Sequence, residues 1–378
     1  MPVNNLVWFS PYIEWFSSFG YAVLGMLVVL GMLIFIHELG HFLVAKKLGI
    51  GVTTFSLGFG KRIWGFRKGE TDYCLSILPL GGYVKLMGEE PGSSHEELDE
   101  PAVLEEPERS FYLRPVYQRM AVIFAGPLFN ILLALILSWL LFIVGQPVPG
   151  TWVGEVFLDT PANSAGLQAG DHIVAVDDKP TLQWTKLVEI IRANPGKRLV
   201  LRVERKGRTS LLPIIPASRG PSGKEFGFGR IGIRRSPRAY KVRYGPIDSI
   251  WQSAHQTYSI IRLTVVTLYS MLKRPETADI GGPIRIAGIA GEQAKRGLSY
   301  IIGLSILLSL NLAILNLLPI PILDGGHLMF LSIEALRGKP LSTRFREISA
   351  QVGMVILIGV MLVATYKDTM YYFFKWTR

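Results

Sequence analysis

Residues 37–41 read His-Glu-Leu-Gly-His, which places two imidazoles four positions apart. On an α-helix, residues i and i+4 share one face, so His37 and His41 can bind one Zn²⁺ together. Glu38 lies beside the pair and can take a proton from a metal-bound water. The spacing therefore predicts a catalytic zinc site of the kind that hydrolyses peptide bonds.

The position of this motif makes the prediction more specific. Residues 15–36 carry no charge over 22 positions, enough for a membrane-spanning helix, and the basic pair Lys46 and Lys47 follows the motif. At 1.5 Å per residue, the site is expected about 7–10 Å inside the cytoplasmic boundary. Ionisable groups at that depth are costly unless they bind something. The alternative is a buried polar network without a metal.

A catalytic zinc with two histidines needs a third protein ligand and an open fourth position. Asp324 is the best candidate, because it ends another apolar run, 297–323, on the side of the membrane predicted for His37. Pro319 and Pro321 interrupt the helix just before it. Asn316 can donate to a developing oxyanion or hold a substrate strand.

Two other side chains have simpler interpretations. His327 is a competing metal ligand, but a histidine near the interface is more often a helix-start or surface residue. Cys74 is the single cysteine of the chain, which excludes an intrachain disulfide framework and any cysteine-cluster metal site.

Composition argues for a membrane protein. Hydrophobic residues make up 49% of the 378 residues and charged residues 18%, against about 25% charged in soluble proteins. This excludes a disordered chain and argues against an ordinary soluble enzyme. The net charge of +11 is attributed to contact with anionic lipid headgroups rather than with nucleic acid.

The fold class predicted is a polytopic α-helical membrane protein with four transmembrane helices. The apolar stretches are 15–36, 120–154, 297–323 and 348–366. Lys and Arg residues concentrate in 46–119 and 324–347, so the positive-inside rule puts these loops in the cytoplasm and both termini outside.

The segments between the spans have distinct patterns. Residues 55–88 alternate in a way that predicts membrane-associated β-hairpins with a turn at Gly81–Gly82, and 89–108 read as an acidic linker. Residues 151–236 contain short β-rich runs and a helical stretch, which is typical of one small α+β domain. Residues 247–274 are interpreted as an amphipathic helix on or near the membrane rather than a fifth span.

Several motifs together carry a resemblance to a known family. HELGH at 37–41, NLLPIPILDGG at 316–326, AGPLFN at 125–130 and the glycine- and aromatic-rich 58–86 resemble the site-2 protease family of intramembrane zinc metalloproteases, in its bacterial branch. The resemblance implies a zinc metalloendopeptidase acting in regulated intramembrane proteolysis, with Zn²⁺ as cofactor.

By this resemblance, His37, His41 and Asp324 are the zinc ligands and Glu38 is the catalytic residue. The implied substrate-binding residues are Asn316, Pro319, Pro321 and Gly82. The last of these lies in 55–88, which resembles the family's membrane-reentrant β element and would pair with an extended substrate. Gly126, Pro127 and Asn130 match a second-span motif whose role is either helix packing and a kink or substrate contact.

Residues 151–236 resemble the family's PDZ domain, notably in TPANSAGLQAGDHIVAVDDKP. A PDZ domain binds extended peptide termini at a sheet edge. The chain has room for one such domain, whereas some relatives have two in tandem. The predicted organisation is a first membrane half at 1–145, the PDZ domain, membrane-associated helices at 246–296 and a second membrane half at 297–378.

The resemblance also implies partners and location. The expected substrates are single-pass regulatory membrane proteins, such as anti-sigma factors, that a site-1 protease has already cut. The expected location is the bacterial inner membrane, in contact with its lipids, with both termini and the PDZ domain on the extracytoplasmic side and no nucleic-acid partner.

Three other functions fit the sequence less well. A membrane-anchored zinc protease acting on soluble or peripheral proteins is disfavoured by the apolar run directly before His37. An inactive PDZ scaffold would be expected to have lost Glu38 or Asp324, and both are present. A zinc transporter would need further acidic residues within its spans.

Overall fold

The computed structural model describes residues 10–88, 106–219, 225–274 and 281–376. The chain divides into two compact units. One, called here the membrane unit, combines Met1–Ile143 with Gly245–Arg378, and the other, the inserted unit, is Val144–Tyr244. Most of the acidic segment predicted at 89–108 lies outside the described residues.

The membrane unit consists mainly of helices. They are α1 (Ser10–Lys47), α2 (Val116–Val144), α5 (Pro246–Lys273), α6 (Pro283–Arg296), α7 (Leu298–Asn316), α8 (Asp324–Arg337) and α9 (Thr343–Trp376). Within the described part of the chain, four segments are long and apolar enough to cross a membrane: Leu24–Lys47, Val116–Val144, Leu298–Asn316 and Thr343–Phe374. The prediction of four helices that are long and apolar enough to cross a membrane is confirmed.

Helix α5 covers the segment interpreted as amphipathic. Its side chains bond to two of the apolar helices: Ser138 of α2 donates to Gln256 at 2.8 Å, and Thr264 donates to Asn311 of α7 at 2.9 Å. Hydrogen bonds between helices are one of the forces that hold bundles together where the surroundings are apolar. Helix α5 is therefore bound to the bundle along its length.

A carboxylate ties α6 to the last apolar helix. Asp368 of α9 is 1% exposed and accepts hydrogen bonds from the backbone N–H of Gly282 and of Arg285, both at 2.9 Å. These amides lie at the start of α6, where a helix leaves its N–H groups unpaired. A side chain from α9 thus satisfies the end of another helix.

Between α1 and α2 lies one β-sheet, built from β1 (Val52–Lys68) and β2 (Thr71–Leu86). Both strands bend, and β1 pairs with two parts of β2. Residues 54–57 lie between 82–85 on one side and 72–75 on the other. Residues 62–68 pair with 71–76. The predicted turn at Gly81–Gly82 lies at the end of a reversal within β2, because 72–75 and 82–85 pair with opposite sides of 54–57 and the chain must fold back between Leu75 and Gly82. The strands turn at Gly69–Glu70, and Gly81 lies within β2, where an added Cβ would come within 1.8 Å of the Phe59 ring.

This turn is fixed to the end of α1 by charge. Glu70 bonds to both Lys46 and Arg109. Burial raises the pKa of the Glu70 carboxyl, but the two cations outweigh burial and hold the pKa below its ordinary value. The sheet is thereby fastened to the helix that carries the histidine motif.

The inserted unit has its own apolar core. A four-stranded sheet has the order β6 (Lys179–Pro180), β5 (His172–Val176), β7 (Leu199–Arg205) and β8 (Arg208–Ile214). Three two-stranded pairs join β3 (Gln146–Pro149) to β12 (Ala239–Val242), β4 (Val153–Val156) to β11 (Ile233–Arg235), and β9 (Ala217–Arg219) to β10 (Glu225–Arg230). Its helices are the short α3 (Pro161–Ser164) and α4 (Trp184–Ala193), and α4 buries Leu187 and Ile191 in the core.

Candidate metal centre

The two histidines of the motif lie on one face of α1. His37 is 7% exposed and His41 is 9% exposed, and their Nε2 atoms are 3.3 Å apart. The Nδ1 atom of His41 lies 2.8 Å from the backbone oxygen of Val122 in α2. A carbonyl can only accept, so Nδ1 carries the proton and Nε2 keeps its lone pair for a metal.

Asp324 brings the third ligand from a distant part of the sequence. It is the first residue of α8, and its two carboxylate oxygens lie 3.1 Å from His37 Nε2 and 3.7 Å from His41 Nε2. The backbone before it, residues 317–323, leaves the helical path of α7. The sequence pattern predicted this convergence, and the structure brings His37, His41 and Asp324 together.

These distances fit zinc. With zinc–nitrogen and zinc–oxygen bonds of about 2.0–2.2 Å, neighbouring ligand atoms of a tetrahedral site are about 3.3–3.6 Å apart. One ligand atom from each of the three residues lies within 4.8 Å of the other two. Asp324 Oδ2 is buried and accepts no hydrogen bond from the described residues, despite its distance of 3.1 Å from His37 Nε2. A buried carboxylate oxygen without a donor is suited to a cation.

Backbone close to the ligands leaves no room for side chains. A Cβ added at Gly126 of α2 would lie 2.3 Å from His41 Nε2 and 2.8 Å from His37 Cε1. One added at Gly325 would lie 2.3 Å from the backbone oxygen of Leu318. Each glycine lets backbone approach closely, in one case to the imidazoles and in the other to the chain that leads into Asp324.

The other predicted site residues differ in placement. A cavity of about 680 Å³ is lined by all three of His37, His41 and Asp324, and also by Glu38, Gly82 and Pro321. Asn316 places its Nδ2 3.3 Å from His37 Nε2. Pro319 is exposed and does not line the cavity, whereas His327 lines it but is not in the ligand cluster.

Two contacts near the site were not predicted. Asn130 of α2 is fully buried, with its Nδ2 3.2 Å from His37 Nδ1. Arg119, also of α2, forms a two-point ion pair with Glu334 of α8, at 2.5 and 3.3 Å. Asn130 had a sequence signal in the AGPLFN motif, but its partner is 93 positions away. Arg119 had none, because nothing local distinguishes it from a surface cation.

Comparison with known proteins identifies the family of the chain. The model of peptidase family M50, the site-2 proteases, matches residues 25–360, which include every proposed ligand. The chain belongs to peptidase family M50. It is a zinc metalloendopeptidase of the intramembrane type that acts in regulated intramembrane proteolysis.

Two curated relatives illustrate the similarity. The chain is 33% identical to the regulator of sigma-E protease RseP of Escherichia coli, over 93% of this chain and 99% of that one. It is 35% identical to a protein of Agrobacterium fabrum provisionally named a zinc metalloprotease, over 92% of this chain and 95% of that one. The first alignment extends over 460 residues, more than the length of this chain, so the E. coli protein contains residues that this chain lacks.

Solved structures match only part of the chain. A PDZ domain from Listeria innocua is 21% identical and covers 24% of this chain and 96% of that structure, with a TM-score of 0.21. A PDZ domain from Listeria monocytogenes gives 23% identity, coverage of 23% and 87%, and a TM-score of 0.20.

Proposed function

We propose that the zinc of this protease is held by His37, His41 and Asp324, with the fourth position open to water. The ligand-atom spacing carries the proposal, because the 3.3 Å between the two Nε2 atoms and the 3.1 Å from His37 Nε2 to Asp324 Oδ2 are close to edges of a zinc tetrahedron, and one ligand atom from each residue lies within 4.8 Å of the other two. Zinc bound there would activate a water and polarise the carbonyl of the bond to be cut.

Two neighbouring side chains have separate roles in the proposal. Glu38 lines the cavity without belonging to the ligand cluster, so its carboxylate is the base that takes the proton of the attacking water. Asn316 ends α7 with its amide 3.3 Å from His37 Nε2, where an N–H can donate to the developing oxyanion.

The substrate is proposed to bind as an extended strand. Gly82, Tyr83 and Val84 of β2 line the cavity, and a Cβ at Gly82 would lie 3.1 Å from Glu38 Cγ. The backbone N–H and C=O groups of a transmembrane helix are hydrogen-bonded to one another, so the helix has to unwind locally before cleavage. A strand beside the catalytic base offers partners for the freed backbone.

The substrate class follows from the family and from this geometry. We propose single-pass regulatory membrane proteins, such as anti-sigma factors, that a first protease has shortened; the E. coli relative is named for its regulation of sigma-E. The inserted unit is proposed to be a single PDZ domain that binds peptide termini at a sheet edge. Its support is the sequence resemblance together with a four-stranded sheet and the helix α4.

A trapping experiment tests the catalytic assignment. Glu38→Gln keeps the side-chain size but cannot take a proton, so cleavage of a transmembrane reporter should fall by about 10²–10⁴-fold while zinc content stays near wild type. Membrane peptides that accumulate with this variant should identify the substrates by mass spectrometry. Glu106→Gln, an exposed glutamate paired with Arg109, is the matched control and should cleave normally. Normal cleavage by Glu38→Gln would refute the role.

The sidedness of the chain needs its own test. We propose a bacterial inner membrane with 46–119 and 324–347 in the cytoplasm and the inserted unit and both termini outside. In a Cys74→Ser background, a cysteine replacing exposed Lys339 should react with an impermeant thiol reagent only after the membrane is opened. One replacing exposed Ser210 should react in intact spheroplasts. The reverse pattern would overturn the proposed topology.

A further inference from the structure

Asn130 lies directly behind the first histidine of the motif. Its side chain is fully buried in α2, its Nδ2 is 3.2 Å from His37 Nδ1, and its Oδ1 accepts no hydrogen bond from the described residues. Its backbone oxygen accepts a hydrogen bond from Ser309 of α7 at 2.7 Å. The residue is thus held between two apolar helices and faces the side of the imidazole opposite the ligand cluster.

The protonation of His37 decides which amide atom should face it. The Nε2 atom of His37 points at Asp324 and at His41 Nε2, so metal binding requires a lone pair there. The proton of the neutral ring is then on Nδ1, which becomes a donor and needs an acceptor. An amide nitrogen cannot accept, but an amide oxygen can.

Without a metal the opposite arrangement is satisfied. When Nδ1 of His37 carries no proton, it accepts from the amide nitrogen of Asn130, which is the orientation that the side chain shows. Rotation of the Asn130 amide group by a half-turn exchanges Oδ1 and Nδ2. Because Oδ1 accepts no hydrogen bond from the described residues, the rotation breaks none at that oxygen. The same side chain can therefore serve either tautomer.

We propose that Asn130 is a positioning residue for the metal centre: in the zinc-bound protein its Oδ1 accepts the Nδ1–H of His37 and fixes the ring in the tautomer that binds metal. The inference rests on the proposed role of His37 as a ligand. Helix α2 then supplies one hydrogen-bond acceptor to each histidine, because the backbone oxygen of Val122 already accepts from Nδ1 of His41. Such outer contacts orient a ligand, and their loss typically weakens metal binding about 10–100-fold.

Two substitutions of similar size separate this role from simple space-filling. Asn130→Asp keeps an acceptor in either orientation, whereas Asn130→Leu fills a similar volume but accepts nothing. Ser138→Ala is the matched control, because Ser138 is also fully buried in α2 but bonds to Gln256, away from the site. The full-length variants are purified in detergent, stripped of metal and titrated with zinc against a chelator. Cobalt absorption spectra and thermal unfolding of the metal-free proteins are also measured.

Zinc affinity should fall about 10–100-fold in Asn130→Leu, with an altered cobalt spectrum, and stay within about threefold of wild type in Asn130→Asp and Ser138→Ala. If the residue only fills space, the order reverses, because Leu is tolerated and a buried carboxylate is not. That reversed order, or wild-type affinity in Asn130→Leu, would overturn the inference. A comparison with His37→Ala separates this failure from failure of the ligand set: full zinc binding in His37→Ala refutes the ligand, and full binding in Asn130→Leu alone refutes the positioning role.

Discussion

The membrane unit and the inserted unit distribute apolar and polar residues in opposite ways. In the inserted unit, Ile173, Leu187 and Leu201 are completely buried. In the membrane unit, Val355 and Leu362 are 70% and 66% exposed, whereas the fully buried positions include polar residues such as Asn130, Ser138 and Ser309. Water drives the first arrangement by burial of apolar surface, whereas in lipid the helices associate through packing and hydrogen bonds.

The two units therefore differ in what the replacement of a polar residue should affect. Some buried polar groups of the membrane unit surround the candidate metal centre, so their replacement should affect zinc and catalysis, whereas others, such as Ser138 and Asp368, connect helices. Polar groups of the inserted unit lie mostly at its surface or in isolated ion pairs, so their replacement should affect only the stability of that unit.

Loss of a ligand should have the largest effect. Asp324→Ala leaves two histidines, which are not a sufficient protein ligand set for catalytic zinc, so bound zinc and reporter cleavage should both be lost. Elemental analysis of the purified protein measures the first, and a membrane-reporter assay the second. Asp368→Ala is a useful comparison: that buried carboxylate of α9 bonds to α6 backbone, so its loss should leave the zinc content unchanged. Full zinc occupancy in Asp324→Ala would contradict the ligand assignment.

A methyl group at the helix crossing should have a smaller effect. Gly126→Ala places a Cβ against both imidazoles and should displace them, weakening zinc binding by about tenfold or more. The control is Gly31→Ala on α1, where an added Cβ meets nothing within 4 Å. Its zinc affinity should equal that of the wild type. Equal affinity in both variants would mean that α2 adjusts to the methyl group and that the crossing does not position the ligands.

The smallest effect on function is expected from the inserted unit. Asp171 is 1% exposed and binds Arg205 through two contacts of 2.7 Å and the backbone N–H of Gln168 at 2.9 Å. Because Arg205 is partly exposed, Asp171→Ala should destabilise this unit by about 2 kcal/mol, measured by pulse proteolysis in urea, with zinc content unchanged.

A surface pair provides the control for that measurement. Arg202 bonds to Asp178, which is 83% exposed, so Arg202→Ala should change the free energy of unfolding by less than about 0.5 kcal/mol. Loss of zinc in Asp171→Ala would break the division of roles between the two units.

The parts that could be predicted from sequence are those with a local pattern. Uncharged runs predict the four apolar helices. The motif residues His37, Glu38 and His41 lie within five consecutive positions of one helix, α1, so their spacing alone predicts their proximity. Asp324 was predictable because the orientation of the spans brings the end of a distant apolar run to the same side. The pairing of β1 with two parts of β2 was not predictable, because it depends on contacts on both sides of residues 54–57 and on the close packing of Gly81 and Gly82 against Phe59 and Ser56.

Contacts that depend on packing in three dimensions had no comparable signal. Asn130 lies in a motif, but only the crossing of α1 and α2 reveals that it faces His37 Nδ1. Arg119 and Glu334 are 215 positions apart, and the residues on either side of each give no indication that the two side chains form an ion pair. Sequence spacing constrains neighbours along one helix, whereas the angle and depth at which two helices cross are set by all of their side chains together.

The short strand segment beside Glu38 has a mechanical consequence for any helical substrate. A residue advances about 1.5 Å along a helix and about 3.3 Å along a strand, so pairing three residues with Gly82, Tyr83 and Val84 lengthens the substrate by about 5 Å. A helix that is anchored at both membrane surfaces cannot shift along its axis to accommodate that extension. In the proposed substrates, removal of the outer domain by a first protease would let the helix slide by the distance that local unwinding needs.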